Sequence, residues 1–305
     1  MPSLKAIRKR IASTKATQKI TRAMKMVAGA RLTRAQQRIV AMRPYAVKTG
    51  EVLQAVARTM TSSAESTDEE LHPLLAVRPE KKALLLVLSA DRGLCGALNT
   101  NVNKTAERTW REKEKEGIEV PFATLGRKGR EYLLRRGATV MQDFPRIYDG
   151  LDLGKARQVA RWLVPRFEKG EFDAVYIIFT EFKSAMTQTV TLRRLLPLAD
   201  PPPANANDAP PAAGAGVGPS EFIYEPTQRA LLERLVPMYV EISLYRALLE
   251  SQASFFGAQM TAMDAATRNA KEMIARLTLS YNRARQAAIT KELMEIIGGA
   301  EALKD

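Results

Sequence analysis

The chain has 305 residues, with 47 Lys or Arg against 33 Asp or Glu, a net charge of +14, one cysteine and one histidine. A lone Cys95 permits no internal disulfide, and a single, remote His72 argues against a protein-ligated zinc site. No apolar run approaches the ~18 residues of a membrane span, and no signal-peptide core is present.

The charge is not spread evenly. The first fifty residues hold 13 Lys or Arg and no Asp or Glu, leaving 34 against 33 for the remainder. Charge concentrated on one segment implies something acidic alongside it. That segment reads as a long helix. Pro2 and Ser3 are suitable starting chemistry, Pro44 is a plausible stop, and Gly29 is the lone glycine between them. Leu4, Ile7 and Ile11 open an apolar stripe, Ile20, Met24 and Val27 resume it after a polar stretch, and Leu32, Ala35, Ile39 and Met42 extend it. About 40 residues make a rod of about 60 Å, too long to hide its stripe in a small globule, so it needs a partner helix. An Arg-rich, acid-free N-terminus also has the composition of a transit peptide; the regular stripe favours a structural helix.

Positions 1–60 are therefore assigned to an N-terminal coiled-coil helix and 61–80 to a polar connector. Positions 81–197 change character. Lys82 to Ser89 is a short apolar run, as in a strand buried on both faces. A turn-rich loop follows, Asp91 to Gly96, then a helix to Glu114. Val120 to Leu125 is a strand, Lys128 to Arg136 a helix, and Ala138 to Gln142 a weak strand. Gly154 to Lys169 is a helix interrupted or ended near Pro165, and Asp173 to Thr180 and Gln188 to Leu196 are strands. Strands alternating with helices predict a small Rossmann-like α/β domain.

Positions 198–220 form a Pro/Ala-rich linker, with too little apolar content to fold alone and expected to be extended or disordered. Positions 221–305 are a second coiled-coil helix. Leu235, Met238, Ile242, Tyr245, Leu249, Ala253, Phe256, Met260, Met263, Thr267, Ala270, Ile274, Leu277, Tyr281, Ala284 and Ala288 step by fours and threes, a sustained heptad seam. The seam is rich in Ala, Met and Thr, so it packs closely but weakly. The fold class is thus α/β plus a long antiparallel coiled coil, with the α/β domain inserted between paired N- and C-terminal helices. The C-terminal rod is longer and should overhang its partner.

Candidate chemistry is sparse. Gly93-Leu94-Cys95-Gly96 follows a strand and precedes a helix, but it matches neither dinucleotide nor P-loop spacing; its glycines serve a tight turn. Cys95 reads as a small packed apolar residue, and Asp91 with Arg92 as a loop ion pair. No Ser/His/Asp set or paired carboxylates stand out. Two readings remain beside a structural rod: a basic coiled-coil nucleic-acid binder, poorly served by the single aromatic Tyr45 in the first fifty residues, and an enzyme built on the α/β domain.

Three motifs carry a family resemblance. Ile11-Ala12-Ser13 with Thr17-Gln18-Lys19-Ile20-Thr21-Arg22-Ala23-Met24 resembles the N-terminal helix of the gamma subunit of F-type, bacterial-like ATP synthases. Ser89 to Gly96, continuing to Asn99, resembles that family's central loop, and Tyr281 to Thr290 with Glu292-Leu293 resembles its C-terminal signature. The motifs fall in family order along the whole chain; the Pro/Ala linker departs from the pattern, and the paired cysteines of the redox-regulated chloroplast form are absent.

The resemblance implies a rotating central stalk. Its coiled coil would stand inside a hexamer of alternating alpha and beta subunits. Its α/β domain would sit on the membrane ring of c subunits, with an epsilon subunit as a further partner. The stalk itself would bind no nucleotide or other cofactor, no metal and no nucleic acid, and would carry no active site. It would meet the membrane only through the c ring, at the cytoplasmic face of the bacterial plasma membrane. The matched motifs make Arg22, Met24, Lys25, Arg285, Gln286 and Thr290 candidates for contact with beta, and Asp91 and Arg92 candidates for a loop contact.

Overall fold

The computed structural model describes residues 3–63, 73–198 and 228–301. Residues 64–72 of the connector and 199–220 of the Pro/Ala linker lie outside the described residues. Ten elements follow in order: α1 (Leu4–Ser63), β1 (Ala83–Leu88), α2 (Leu98–Lys115), β2 (Phe122–Leu125), α3 (Arg127–Arg135), β3 (Val140–Phe144), α4 (Leu153–Glu168), β4 (Ala174–Phe182), β5 (Gln188–Leu196) and α5 (Gln228–Glu301). The chain divides into two compact units, one of Met1–Ala30 with Gln259–Asp305, the other of Arg31–Ala258.

The larger unit is built on a five-stranded sheet of order β3-β2-β1-β4-β5. β1 is central and buried along its whole length, pairing in parallel with β2 (Leu86 opposite Ala123) and β4 (Leu86 opposite Ile177). Such a strand must be apolar on both faces, which is what its unbroken Leu/Val run supplies. Leu85 and Val87 point to one face and pack with Val102 and Ala106 of α2, Phe122 of β2 and Leu133 of α3. Leu84, Leu86 and Leu88 point to the other. There they join Leu163 and Phe167 of α4, Val240, Leu244 and Leu248 of α5, and the half-buried Ile39 and Met42 of α1. β5 turns back antiparallel on β4 and forms an edge, so its pattern is mixed rather than uniformly buried.

Pro44 does not end α1 as the sequence suggests: α1 passes through it, and α5 likewise passes through Pro237, whereas α4 ends three residues after Pro165, near the expected place. An interior proline costs about 3 kcal/mol. Around Pro237 that cost is offset by burial of Val236, Tyr239 and Val240, at about 1.5–3 kcal/mol for each fully buried apolar side chain. Pro44 is exposed and flanked by Met42 and Thr49, which stay on the inner face. Pro165 lies in the last turn of α4, where its carbonyl accepts the Lys169 N–H at 3.1 Å.

Gly126, between β2 and α3, has φ of 105°, a backbone conformation that L side chains rarely adopt. A Cβ there would overlap the Ser89 carbonyl oxygen and lie 2.8 Å from its carbon. Gly126→Ala is expected to lower stability by at least about 2 kcal/mol, because backbone strain and overlap act together. A denaturant midpoint within error of the wild type would show that the two loops can separate without cost.

Candidate partner-binding surfaces

Within the smaller unit, α1 and α5 run antiparallel. The Thr14 hydroxyl reaches the Met273 sulfur at 3.9 Å, and the Thr267 hydroxyl donates to that of Thr21 at 2.8 Å. Lys25 Nζ donates to Asp264 Oδ1 at 2.5 Å, and Gly29 faces Met260. Every step forward on α1 is matched by a step back on α5, so Leu4 falls level with about Ala284, and α5 continues past it to Glu301.

The seam of α1 differs from the one its apolar residues suggest. Counting by threes and fours from Leu4, Ile7 and Ile11, the inward positions are Thr14, Gln18, Thr21, Lys25, Ala28, Leu32 and Ala35. The polar stretch is itself part of the seam. Ile20 and Val27, expected inside, are 59% and 52% exposed, and Met26 is 64% exposed. Local hydrophobicity picked the wrong residues; the unbroken heptad count would have found the right ones. On α5, every residue of the expected seam from Leu235 to Ala288 is buried or half-buried.

The candidate contact residues fall into separate groups. Arg8, Lys9, Lys15, Lys19 and Arg22 are exposed, and Met24 is half-buried. Lys25 is spent inside the unit: its ammonium holds the Asp264 carboxyl below the ordinary carboxylate range through a hydrogen bond, against a smaller opposing effect of desolvation. Arg268 bonds the other oxygen of Asp264 at 3.5 Å. Arg285, Gln286 and Thr290 are all exposed, on the part of α5 beyond the end of α1. From Asp264 to Arg285 is 21 residues, about 30 Å along the helix, so the Arg22 and Arg285 groups are distinct patches. Around the second patch Ile289, Leu293, Met294, Ile296 and Ile297 are each about half exposed or more. Singly exposed apolar residues are ordinary, but this many on one free helix end form a surface suited to a partner.

In the larger unit, the loop after β1 is organised by its own hydrogen bonds. Asn99 accepts from the Ala90 N–H at 3.0 Å and donates to the Arg92 carbonyl at 3.2 Å and Cys95 Sγ at 3.3 Å. Ser89 Oγ donates to the Gly126 carbonyl and accepts from the Gly129 N–H at 2.7 Å. Asp91 does not pair with Arg92 as expected; its carboxylate accepts the Arg127 N–H at 3.1 Å, at the start of α3. Cys95 is buried, and desolvation raises its thiol above the usual range, which makes it unreactive. Arg92 is exposed, and so is Leu94, which has a left-handed φ of 64° that a branched side chain seldom adopts. Among the described residues no group of three or more His, Cys, Asp or Glu could hold a metal ion, and no helix is long and apolar enough to cross a membrane.

The family model described as ATP synthase matches residues 3–303. The ATP synthase gamma chain of Sorangium cellulosum is 56% identical, with both chains covered in full. That of Geotalea uraniireducens is 47% identical, again over the whole of both. This chain belongs to the ATP synthase gamma-chain family. Solved structures agree on the fold. A chain of the Euglena gracilis mitochondrial ATP synthase superposes with a TM-score of 0.64 at 19% identity, covering 98% of this chain and 94% of that one. A central-stalk and c-ring structure from Tetrahymena thermophila gives 0.59 at 22%, covering 81% and 99%.

The Lys25–Asp264 pair is expected to set the register of the polar seam. Lys25→Glu places two carboxylates together and should lower the melting temperature by several degrees; adding Asp264→Lys should recover most of the loss. Because the Asp264 carboxyl is lowered in the folded chain, its contribution is present above the unfolded pKa and fades as pH falls through the folded value. In the wild type the stabilisation by this pair should therefore be lost in acid. No recovery in the double variant at neutral pH would mean that the pair is incidental.

Proposed function

We propose that the chain is the central rotor stalk of a rotary ATP synthase, coupling ion flow through a membrane c ring to conformational change at catalytic sites on beta. Residues 1–60 and 221–305 are read as the shaft and 81–197 as the α/β domain between them. Partners are the alpha and beta subunits, the epsilon subunit and the c ring, and the membrane is met only through that ring. The stalk performs no catalysis of its own and works at the cytoplasmic face of the bacterial plasma membrane.

The observation that carries this reading is the free end of α5. A helix end that continues past its partner, bearing Arg285, Gln286 and Thr290 beside a row of exposed Ile, Leu and Met, is surface to be enclosed. An acid-free basic stretch of α1 suits acidic segments of a surrounding sleeve. A ligand or partner shifts an equilibrium only by its differential contact with the states concerned. An asymmetric shaft meets three otherwise equivalent beta sites differently, so rotation would move each through a series of affinities. Full-length similarity to curated gamma chains supports the same assignment.

The Arg guanidinium offers a planar fork of donors for carboxylates or carbonyls. Exchanging Arg285 and Gln286 together for Ala should cut multisite ATP turnover by roughly threefold to tenfold, the scale of one to two lost hydrogen bonds, while the complex still assembles. Unchanged turnover in the assembled complex would mean that this face is solvated. Failure of the wild-type chain to co-purify with two ATP-binding subunits of similar size would sink the stalk assignment itself. Exposed ion pairs are worth about 0–1 kcal/mol each, so no single charge among Arg8, Lys9, Lys15, Lys19 and Arg22 should be essential. Reversing four of them to Glu should impair coupling or assembly in a salt-dependent way, and intact coupling at low salt would refute the charge complementarity.

A further inference from the structure

A cavity of about 300 Å³ lies within the larger unit, at the carboxyl ends of β1 and β4. Strand order makes this a switch point: the chain leaves β1 towards β2 on one side, while β4 lies on the other. In open α/β sheets the crevice outside the strand ends at such a point is where ligands bind. In this chain α5 crosses the crevice. Ser251 Oγ accepts the Thr180 N–H at 3.3 Å, Ser254 Oγ donates to the Thr180 carbonyl at 3.0 Å, and Gln252 Nε2 donates to the Tyr148 carbonyl at 3.2 Å. The helix is pinned to the rim of the crevice without filling it.

Thr180 Oγ1 faces this space without a hydrogen-bond partner, and the buried Tyr148 OH has no more than a weak contact with Ser251. Thr180 is only 2% exposed. An unmet buried hydroxyl costs about 1–3 kcal/mol, and Val and Phe would have filled the same shapes at no such cost. Burial raises the Tyr148 phenol well above its ordinary value, so it stays a neutral donor. Leu88, Leu98 and Phe255 supply an apolar stretch of the wall. Four charged residues also line the space, and they balance: Arg31 and Arg92 against Asp91 and Asp149. Arg31 rests 5.9 Å from the Phe256 ring centre, and Asp91 is engaged with the Arg127 N–H. Because the four charges cancel, the space offers no net charge to offset the lost hydration of a charged ligand head.

We propose that this cavity binds a small, uncharged, hydroxylated ring compound, with its hydroxyl on Thr180 Oγ1 and Tyr148 OH and its ring against Leu98 and Phe255. The volume sits at the lower end of the range for small-molecule sites. An occupant would touch β4, the loop after β1 and α5 together, and so would tighten the attachment of α5 to the sheet.

Phenol is the probe, titrated into the full chain and followed by NMR shifts of Thr180 and its neighbours. The site does not depend on the rotary assignment, since binding is read on the chain itself. Saturable binding in the millimolar range, about 4 kcal/mol, is expected for so small a ligand. Thr180→Val and Tyr148→Phe should each weaken it about fivefold to tenfold, the worth of one hydrogen bond, and each should leave the melting temperature equal or higher. Benzoate should bind at least about tenfold more weakly than phenol, because its carboxylate must be desolvated. Benzene binding as tightly as phenol, or benzoate binding more tightly, would overturn the assigned chemistry. No saturation by ~10 mM phenol, weaker than the expected ~4 kcal/mol, would mean that the cavity holds water only.

Discussion

The packing of the middle of α5 on one face of the sheet is the contact on which the larger unit depends. Val236, Val240, Leu244 and Leu248 are fully buried there, in the same cluster as Leu84, Leu86 and Leu88 of β1. This stretch of helix is therefore part of an α/β core as well as a coiled-coil strand. Its tolerance of Pro237 follows, since the buried residues on either side contribute more than the missing backbone bond costs. So does Gly257, which lies where α5 approaches the turn between β4 and β5. A Cβ there would come 3.3 Å from the Phe182 ring and 3.4 Å from the Ala185 backbone.

The smaller unit is held differently. Its α1 seam carries Thr14, Gln18, Thr21 and Lys25 where a stable coiled coil would place Ile or Leu. Polar seam residues reduce stability but discriminate between registers. The Thr21–Thr267 and Lys25–Asp264 contacts can form in one alignment only, whereas an all-Leu seam would tolerate slippage by a heptad. In the proposed role of a shaft, a defined register matters more than a high melting point. The exposed Ile20, Met26 and Val27 are the counterpart of this choice, since apolar side chains left off the seam are available to a neighbouring subunit.

The α/β domain has the topology in which a ligand crevice is expected, yet its loop after β1 is spent on internal bonds. Ser89, Asp91 and Asn99 tie that loop to the start of α3, to Ala90 and to Arg92. None of these groups is left to hold a phosphate. The topology alone therefore does not decide what the domain does, in keeping with the rule that fold and function are separable.

Much of this was legible in the sequence. Each strand and helix of the α/β domain, the heptad seam of α5 and the concentration of positive charge in the first fifty residues are local or periodic properties, and local patterns survive folding. The three motifs were enough to suggest a family because they are runs of neighbouring residues. Tertiary structure decided what depends on distant partners. It routed the α1 seam through Thr14, Gln18 and Thr21 because α5 faces them, and it committed Lys25 to Asp264, 239 residues away, instead of to solvent. It carried helices through Pro44 and Pro237, and it left the buried Thr180 hydroxyl without a partner near the strand ends. A sequence shows which side chains are apolar and at what period they recur; which of them is buried, and which charge is already neutralised, is set by the element that packs against it.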